Sequence, residues 1–546
     1  MFCQKRRDLA SCATASSQDL TIKIRVQNIL NNHQTRSNIR YHAADSNHSK
    51  YSYLIVAVVL VAIWVTWTSL WDSGLYGDSV EQFIWSHSLE LGYYKHPPLP
   101  TWLLAAAVHL LGPTWWLANA LAAICLAATG VFTWLVARQL AGQTVANTTL
   151  VLWGLQQCFS VSAEIYNHNT VLVLCLSATT YCLVRALDSN SHWRWWAATG
   201  ALAACAMLSK YQAALPLAFL TVAALVISRQ RGLKITARLC LASAFFVAVF
   251  APHVYWGITT HFPSLRYASA AIDESGGFSN RLFWVATFAI NQIRLNLPLI
   301  GALLVSALMA VIWRPLNVRP QVHVSEADDT HQPVGVWMWT LLWAPIATLL
   351  VLSLLTGSQL RNHWGVQLFQ FFPLWVAWTW RKQRFLEAKY LLIAAALMHC
   401  LGFTYYAFRQ SDASAVLADR RADSTYPAQK MSAAAVAHWR AATQCPLRIV
   451  AGDFEAGLVS AFSAEFPAVF ISPSATPWIR EADQERYGIL YVFDSSTALP
   501  PNATAVSNWT IAQYKDGKKK YIQFGVRLPA RSCGELSGDL IRYPQK

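Results

Sequence analysis

The chain has 546 residues, 55% of them hydrophobic and 13% charged, with 25 tryptophans and a formal net charge of +15. One soluble core of this length would not use so much apolar surface, which excludes an ordinary soluble globular protein and leaves a polytopic membrane protein. The basic excess falls mainly beside apolar runs, where membrane topology accounts for it and no nucleic-acid partner is implied.

Residues 1–50 hold eight Lys or Arg (Lys5, Arg6, Arg7, Lys23, Arg25, Arg36, Arg40 and Lys50) against Asp8, Asp19 and Asp45, and read as a basic, disordered tail on the cytoplasmic side. They lack the short apolar core and small-residue cleavage site of a secretory signal. The run 53–71 then carries no charge. It is close to the ~20 residues that a helix rising ~1.5 Å per residue needs to cross ~30 Å of hydrocarbon. Similar runs cover 114–136, 144–161, 170–184, 195–208, 213–228, 239–256, 297–313, 336–356, 364–380 and 390–408, so the expectation is about eleven transmembrane helices within 51–408. The segment 99–111 is too short to span and runs into Gly112-Pro113, which suits a helix lying at the interface.

Alternate crossings from an inside start put Arg138, the 185–194 loop, the Arg229-Arg231-Lys234-Arg238 cluster and Arg381-Lys382-Arg384 on the cytoplasmic side, and all are basic. The 314–335 loop also falls inside, although Glu326, Asp328 and Asp329 make it mildly acidic. The chain is therefore expected to be a multi-pass protein of the inner (plasma) membrane with its carboxyl end outside. Residues 409–546 alternate strand-like stretches ("LRIVAG", "AVFIS", "GILYVF", "YIQFGVRL") with the helix-like "MSAAAVAHWRAA", the pattern of a small soluble extracytoplasmic α/β domain. Of eleven cysteines only Cys445 and Cys533 fall in that domain, and an even pair in an oxidising compartment suggests a disulfide.

Polar chemistry gathers in the outward loops. The first is "LYGDSVEQFIWSHSLELGYYKHPPLPTWLL", residues 75–104. Asp78 and Glu81 are three apart and share a face if the segment is helical, so either could take a proton from a hydroxyl. Lys95 and His96 are groups that hold phosphate, and Pro97-Pro98 fix His96 in extended backbone. Tyr93 and Tyr94 could stack on a sugar or polyprenyl face or anchor at the interface. Glu164, His168, Lys210, Tyr211, His261, Arg266, Arg361 and His363 complete the outer set, since ionisable groups at membrane depth are functional candidates by default.

Asp78, Trp85-Ser86, Gly92-Tyr93 and His96-Pro97-Pro98-Leu99, with "LSKYQAAL" at 208–215 and "NHW" at 362–364, resemble the bacterial membrane glycosyltransferases of the family that includes protein O-mannosyltransferases and the aminoarabinose transferase of lipid A. The resemblance covers about 50–410 and weakly the "GDFEAG" of the carboxyl domain. It implies a mostly α, polytopic GT-C fold that moves a hexosyl or pentosyl group from a polyprenyl-phosphate sugar to an acceptor on the extracytoplasmic side: an envelope glycan, a lipid such as lipid A, or a protein. Donor phosphate would be met by Lys95, His96, Lys210 and Arg361, with Asp78 as base. Two positions depart from the pattern. Ser79 stands where a second acid usually follows the aspartate, and Asn169 where another acid is frequent, leaving Glu164 as the nearest carboxylate. No cofactor is therefore certain, and a divalent metal is left open. The rival reading is a lipid or glycan transporter or flippase without transferase activity, whose mark would be internal repeats or broken, charge-bearing helices at the midplane. A third is a non-catalytic subunit.

Overall fold

A computed structural model of the chain describes residues 51–188, 192–270, 278–313, 333–411, 414, 423–511, 520–530 and 533. The basic tail (1–50) and most of the acidic 314–335 loop lie outside the described residues. From Ala57 onward the chain forms one compact unit.

The membrane part is helical. In chain order come α1 (Tyr51–Trp71), α2 (Gly77–Trp85), α3 (Leu99–Leu111), α4 (Trp116–Gly154), α5 (His168–Ala186), α6 (Trp193–Ser209), α7 (Ala214–Gln230) and α8 (Thr236–Thr259). Later helices include Pro263–Ala270, Phe278–Leu295, Leu297–Ile312, Ala344–Thr356 and the last span, Ala388–Arg409. Among the described residues seven helices are long and apolar enough to cross a membrane, or eight if the pair bent by 56° at Asn296 counts as one span. Three differences separate eight from the eleven expected spans. The first is α4, counted once although two of the expected spans are its arms, which meet at Gly142, where φ of 82° breaks the helical path. The second is α6, with 17 residues, and the third is 364–380, which breaks into Gly365–Phe369 and Phe372–Thr379. Pro373 explains that break, since its ring clashes with the carbonyl four residues back and it supplies no N–H.

Large apolar side chains stand exposed along these helices, among them Val247 (60%), Leu304 (67%) and Leu355 (69%). A face of that kind suits lipid, not water. Between helices, polar groups pair: Gln156 Nε2 donates to Asn296 Oδ1 (2.9 Å) and to the Phe369 carbonyl (3.1 Å). The last span closes on α1, with Trp64 Nε1 donating to His399 Nδ1 (3.1 Å) and Trp67 Nε1 to the Phe403 carbonyl (3.2 Å).

The carboxyl region carries a five-stranded sheet in the order β2-β1-β3-β5-β4. β1 (Ile449–Ala451) runs parallel to β2 (Ala468–Phe470) and β3 (Ile489–Asp494), and β5 (Lys520–Arg527) is antiparallel to β3 and to β4 (Thr504–Ile511). The four strands expected from sequence are present; β4 was not expected, because "TAVSNWTI" is polar and sits at an edge with an irregularity between Thr504 and Ser507. Cys445 and Cys533 are joined by a disulfide.

The sheet does not have a core to itself. One apolar cluster runs from Leu75, Val80, Phe83 and Trp85 of the first loop through Leu172 of α5 to Leu458, Ile489 and Leu490. The contact is close because residue 457 is glycine: a Cβ there would stand 2.3 Å from Val80 Cγ1 and 2.9 Å from Ile84 Cδ1. The helix that carries Asp78 thus lies against the Phe454–Phe462 helix.

Candidate active site

Asp78 lies in the first turn of α2, exposed on one side, while Ser79 beside it is buried. Ser79 Oγ donates to the Tyr166 carbonyl (3.0 Å) and accepts from the Tyr166 N–H (3.2 Å). A second acid at 79 would lose this pairing, so the departure from the family pattern has a structural use here. The next residue, Asn167, caps α5: its Oδ1 accepts from the Asn169 and Thr170 N–H groups (2.9 and 3.1 Å), and its Nδ2 donates to Asp78 Oδ2 (3.0 Å). One oxygen of Asp78 is thereby held.

Lys210 sits in extended backbone between α6 and α7, 9% exposed. Its Nζ donates to Asn169 Oδ1 at 2.9 Å, a neutral partner at the position where the family often has an acid. Burial lowers its pKa from 10.5 to about 8, with the Asp78 carboxylate acting against that fall. A buried ammonium held by an amide leaves a local positive charge that an anion would neutralise.

His96 packs over buried His168, ring centroids 4.0 Å apart, and His168 Nε2 is buried without a hydrogen-bond partner among the described residues. Burial first, then the charges of Lys210, Lys95 and His363, keep His96 neutral, well below its usual pKa. His96 therefore offers a hydrogen bond and no charge. Lys95 is committed elsewhere: its Nζ lies 2.6 Å from Glu81 Oε1. Burial pushes Glu81 up to about 7 even so, against the pull of Lys95. Of the two expected carboxylates, Asp78 is held by an amide and Glu81 by a cation.

Aromatic rings wall the group. Trp85 and Tyr93 stack at 5.1 Å, Tyr94 meets Tyr267 edge-on at 6.1 Å, and the Lys95 ammonium lies over the Tyr94 and Tyr267 rings at 5.4 and 5.7 Å. Tyr211 hydroxyl pairs with His253 Nε2 and Ser264 Oγ, each at 2.7 Å, and His253 Nδ1 donates to the Leu91 carbonyl (2.6 Å), so that α8 braces the Gly92–His96 loop. Arg361 and His363 are exposed, close enough for the Lys210 and Arg361 charges to act on His363. His261 and Arg266 are exposed; their neighbour Tyr267 is the residue of that loop that reaches His96 and Lys95. Glu164 joins a different cluster, with Asp72 and Tyr406.

Sequence reading missed Asn167 and Tyr267. Asn167 had a signal, an Asn just before an apolar helical run, which marks a helix cap. Tyr267 had none. Among the described residues no three or more His, Cys, Asp or Glu are arranged to hold a metal ion.

Helical spans, an exposed aspartate in the short helix beyond the first, a buried lysine and a small α/β cap give a polytopic membrane protein of GT-C-like fold. Residues 95–256 match the family model described as dolichyl-phosphate-mannose-protein mannosyltransferase. The structure is similar to that of ArnT from Cupriavidus metallidurans bound to undecaprenyl phosphate, with TM-score 0.57 and 13% identity over 87% of this chain and 98% of that one. It is also similar to ArnT from the same organism in the apo state (TM-score 0.50, 18% identity, 86% and 97% of the two chains). No curated protein matches the sequence. The resemblance read from the motifs thus holds in both family model and fold.

Proposed function

We propose that the chain is a glycosyltransferase that moves a sugar from a polyprenyl-phosphate donor to an acceptor hydroxyl on the extracytoplasmic side of the inner membrane. The acceptor is an envelope glycan, a lipid such as lipid A, or a protein. In this reading 51–408 is the catalytic membrane domain and 409–546 an extracytoplasmic domain that covers it. The observation that carries it is Lys210, a buried ammonium whose partner is the neutral Asn169 beside two imidazoles packed 4.0 Å apart. Such a group suits a phosphate whose lipid tail lies among the spans.

The chemistry follows from the positions. The donor phosphate rests against Lys210, with hydrogen bonds from His96 and His168; as it binds, its charge favours protonation of His96. The acceptor hydroxyl lies at the other oxygen of Asp78 and attacks the anomeric carbon. The C–O bond to phosphate breaks, the electron pair leaves on the phosphate oxygen, and the hydroxyl proton passes to Asp78. A single displacement inverts the anomeric centre. Glu81, engaged by Lys95, holds the aromatic wall and is not the base.

Incubating the purified protein with a panel of radiolabelled polyprenyl-phosphate sugars and envelope extracts tests this. Label passing from one donor to an acceptor, and lost in Asp78→Asn, is the expected result. Movement of intact donor across vesicles without cleavage would instead establish the transporter reading.

A further inference from the structure

Asp72, Glu164, Tyr406 and Gln410 form a cluster that the transfer chemistry leaves unused. The Tyr406 hydroxyl lies 2.7 Å from Asp72 Oδ1 and 3.3 Å from Glu164 Oε1, and it has one proton to give. Gln410 Nε2 approaches both Asp72 Oδ1 and the Tyr406 oxygen at 2.7 Å, and Ser424 Oγ at 2.9 Å. With Tyr406 donating to Asp72 at the shorter distance, the contact to Glu164 is a hydrogen bond only when Glu164 carries a proton and donates to the Tyr406 oxygen. Glu164 is 7% exposed, and its other oxygen, Oε2, is buried with no hydrogen-bond partner among the described residues. That is a costly place for a charged oxygen and a mild one for a neutral acid.

We infer that Glu164 is a neutral carboxylic acid in the folded protein and that, through this proton, it positions Asn167 against Asp78. The charges that face it agree. Burial raises both carboxyls and the Asp72 charge raises Glu164 further, against the Glu164 N–H, Arg409 of the last span and the Tyr406 hydroxyl; Tyr76 is the further titratable group within reach. The mechanical link is short. Glu164 precedes Asn167 by three residues, with Tyr166 between them pinned on both backbone sides by Ser79. Protonated Glu164 fastens one end of this segment to the last span, and Asn167 fastens the other to Asp78. Ionised Glu164 would face Asp72 with one shared donor, and the segment would loosen. The link to Asp78 rests on the transferase reading; the proton does not.

Infrared spectra of the purified full chain test the proton. Wild type is expected to show at neutral pH the carbonyl stretch of a buried carboxylic acid, lost at alkaline pH and missing from Glu164→Gln. Absence of any difference between the two would overturn the inference, whatever a transfer assay gives. Hydrogen exchange tests the positioning. Beyond the intrinsic pH effect, the Asn169 and Thr170 amides should exchange at least about tenfold faster at alkaline pH in wild type and stay protected in Glu164→Gln, which mimics the neutral acid. Equal exchange in both would overturn the positioning role. In a transfer assay Glu164→Gln should stay within about twofold of wild type at neutral pH and keep its rate where wild type falls; a Gln variant as slow as Glu164→Ala would overturn it too.

Discussion

Asn167 donates from its Nδ2 to Asp78 Oδ2 across 3.0 Å while its Oδ1 caps α5. The same side chain thus aims the proposed base and starts the helix whose first residue is His168. Asn167→Ala should slow transfer by roughly tenfold or more and lower thermal stability by ~1 kcal/mol through the lost cap. Asp78→Asn should keep that stability and lose ~10² to 10⁴ in rate with donor binding intact, as removal of a general base does. Paired rate and melting measurements separate the two.

Lys210 gives a pH-dependent signature. Its folded pKa is depressed from 10.5 to about 8, so folding is penalised while the unfolded chain keeps a proton that the folded one resists. The penalty is full below about 8 and fades as pH rises toward 10.5. Lys210→Met should therefore stabilise the donor-free protein at neutral pH by ~2 kcal/mol, taking ~3 kcal/mol for the relieved charge less ~1 for the Asn169 bond, and the gain should vanish at high pH. Polyprenyl phosphate should raise the melting temperature of wild type and not of the variant. Melting curves across pH that show no gain for Lys210→Met would remove the strained cation from the account.

Asn169→Asp introduces the acid frequent in the family that the motifs resemble. It would pair with Lys210 across the present 2.9 Å contact and compete with donor phosphate. The expected result is a higher apparent KM for donor, by about tenfold, with a more stable apo protein. An unchanged KM would place the phosphate elsewhere.

Legibility followed the physics of each signal. Apolar length gave most of the membrane helices, because a span needs a fixed number of uncharged residues. It set two runs apart around Gly142, where the helix does break, and it failed where a proline divides a run, as at Pro373, and where polar residues punctuate a helix, as in Phe278–Leu295. Lys210 and His96 could be named from residue type and place alone. That Lys95 is tied to Glu81 and that Glu164 faces Asp72 could not, since these pairings depend on how loops fold back over one another.

Topology remains a reading of the basic loops. A phosphatase reporter fused after Lys546 is expected to be active and one at Arg384 inactive. The opposite pattern would turn every outer loop inward and remove the extracytoplasmic site.

The Cys445–Cys533 disulfide closes a loop of 88 residues around the sheet, a constraint on the unfolded chain of ~4 to 5 kcal/mol. Cys445→Ser with Cys533→Ser should lower the melting temperature. Because the sheet backs α2, transfer should fall with it; a destabilised sheet with full activity would show that the two are not coupled.

The Gly457 contact with Val80 and Ile84 bears on how the protein is made. α2 is synthesised among the first hundred residues, yet the surface it rests on is synthesised more than 350 residues later. Until that surface arrives, Val80 and Ile84 lack the cover on that side, and the helix that carries the aspartate is held only by the membrane part. On the proposed function, a nascent chain halted after the last span would hold every cation of the site without this support, and transfer is expected only once the Phe454–Phe462 helix has docked.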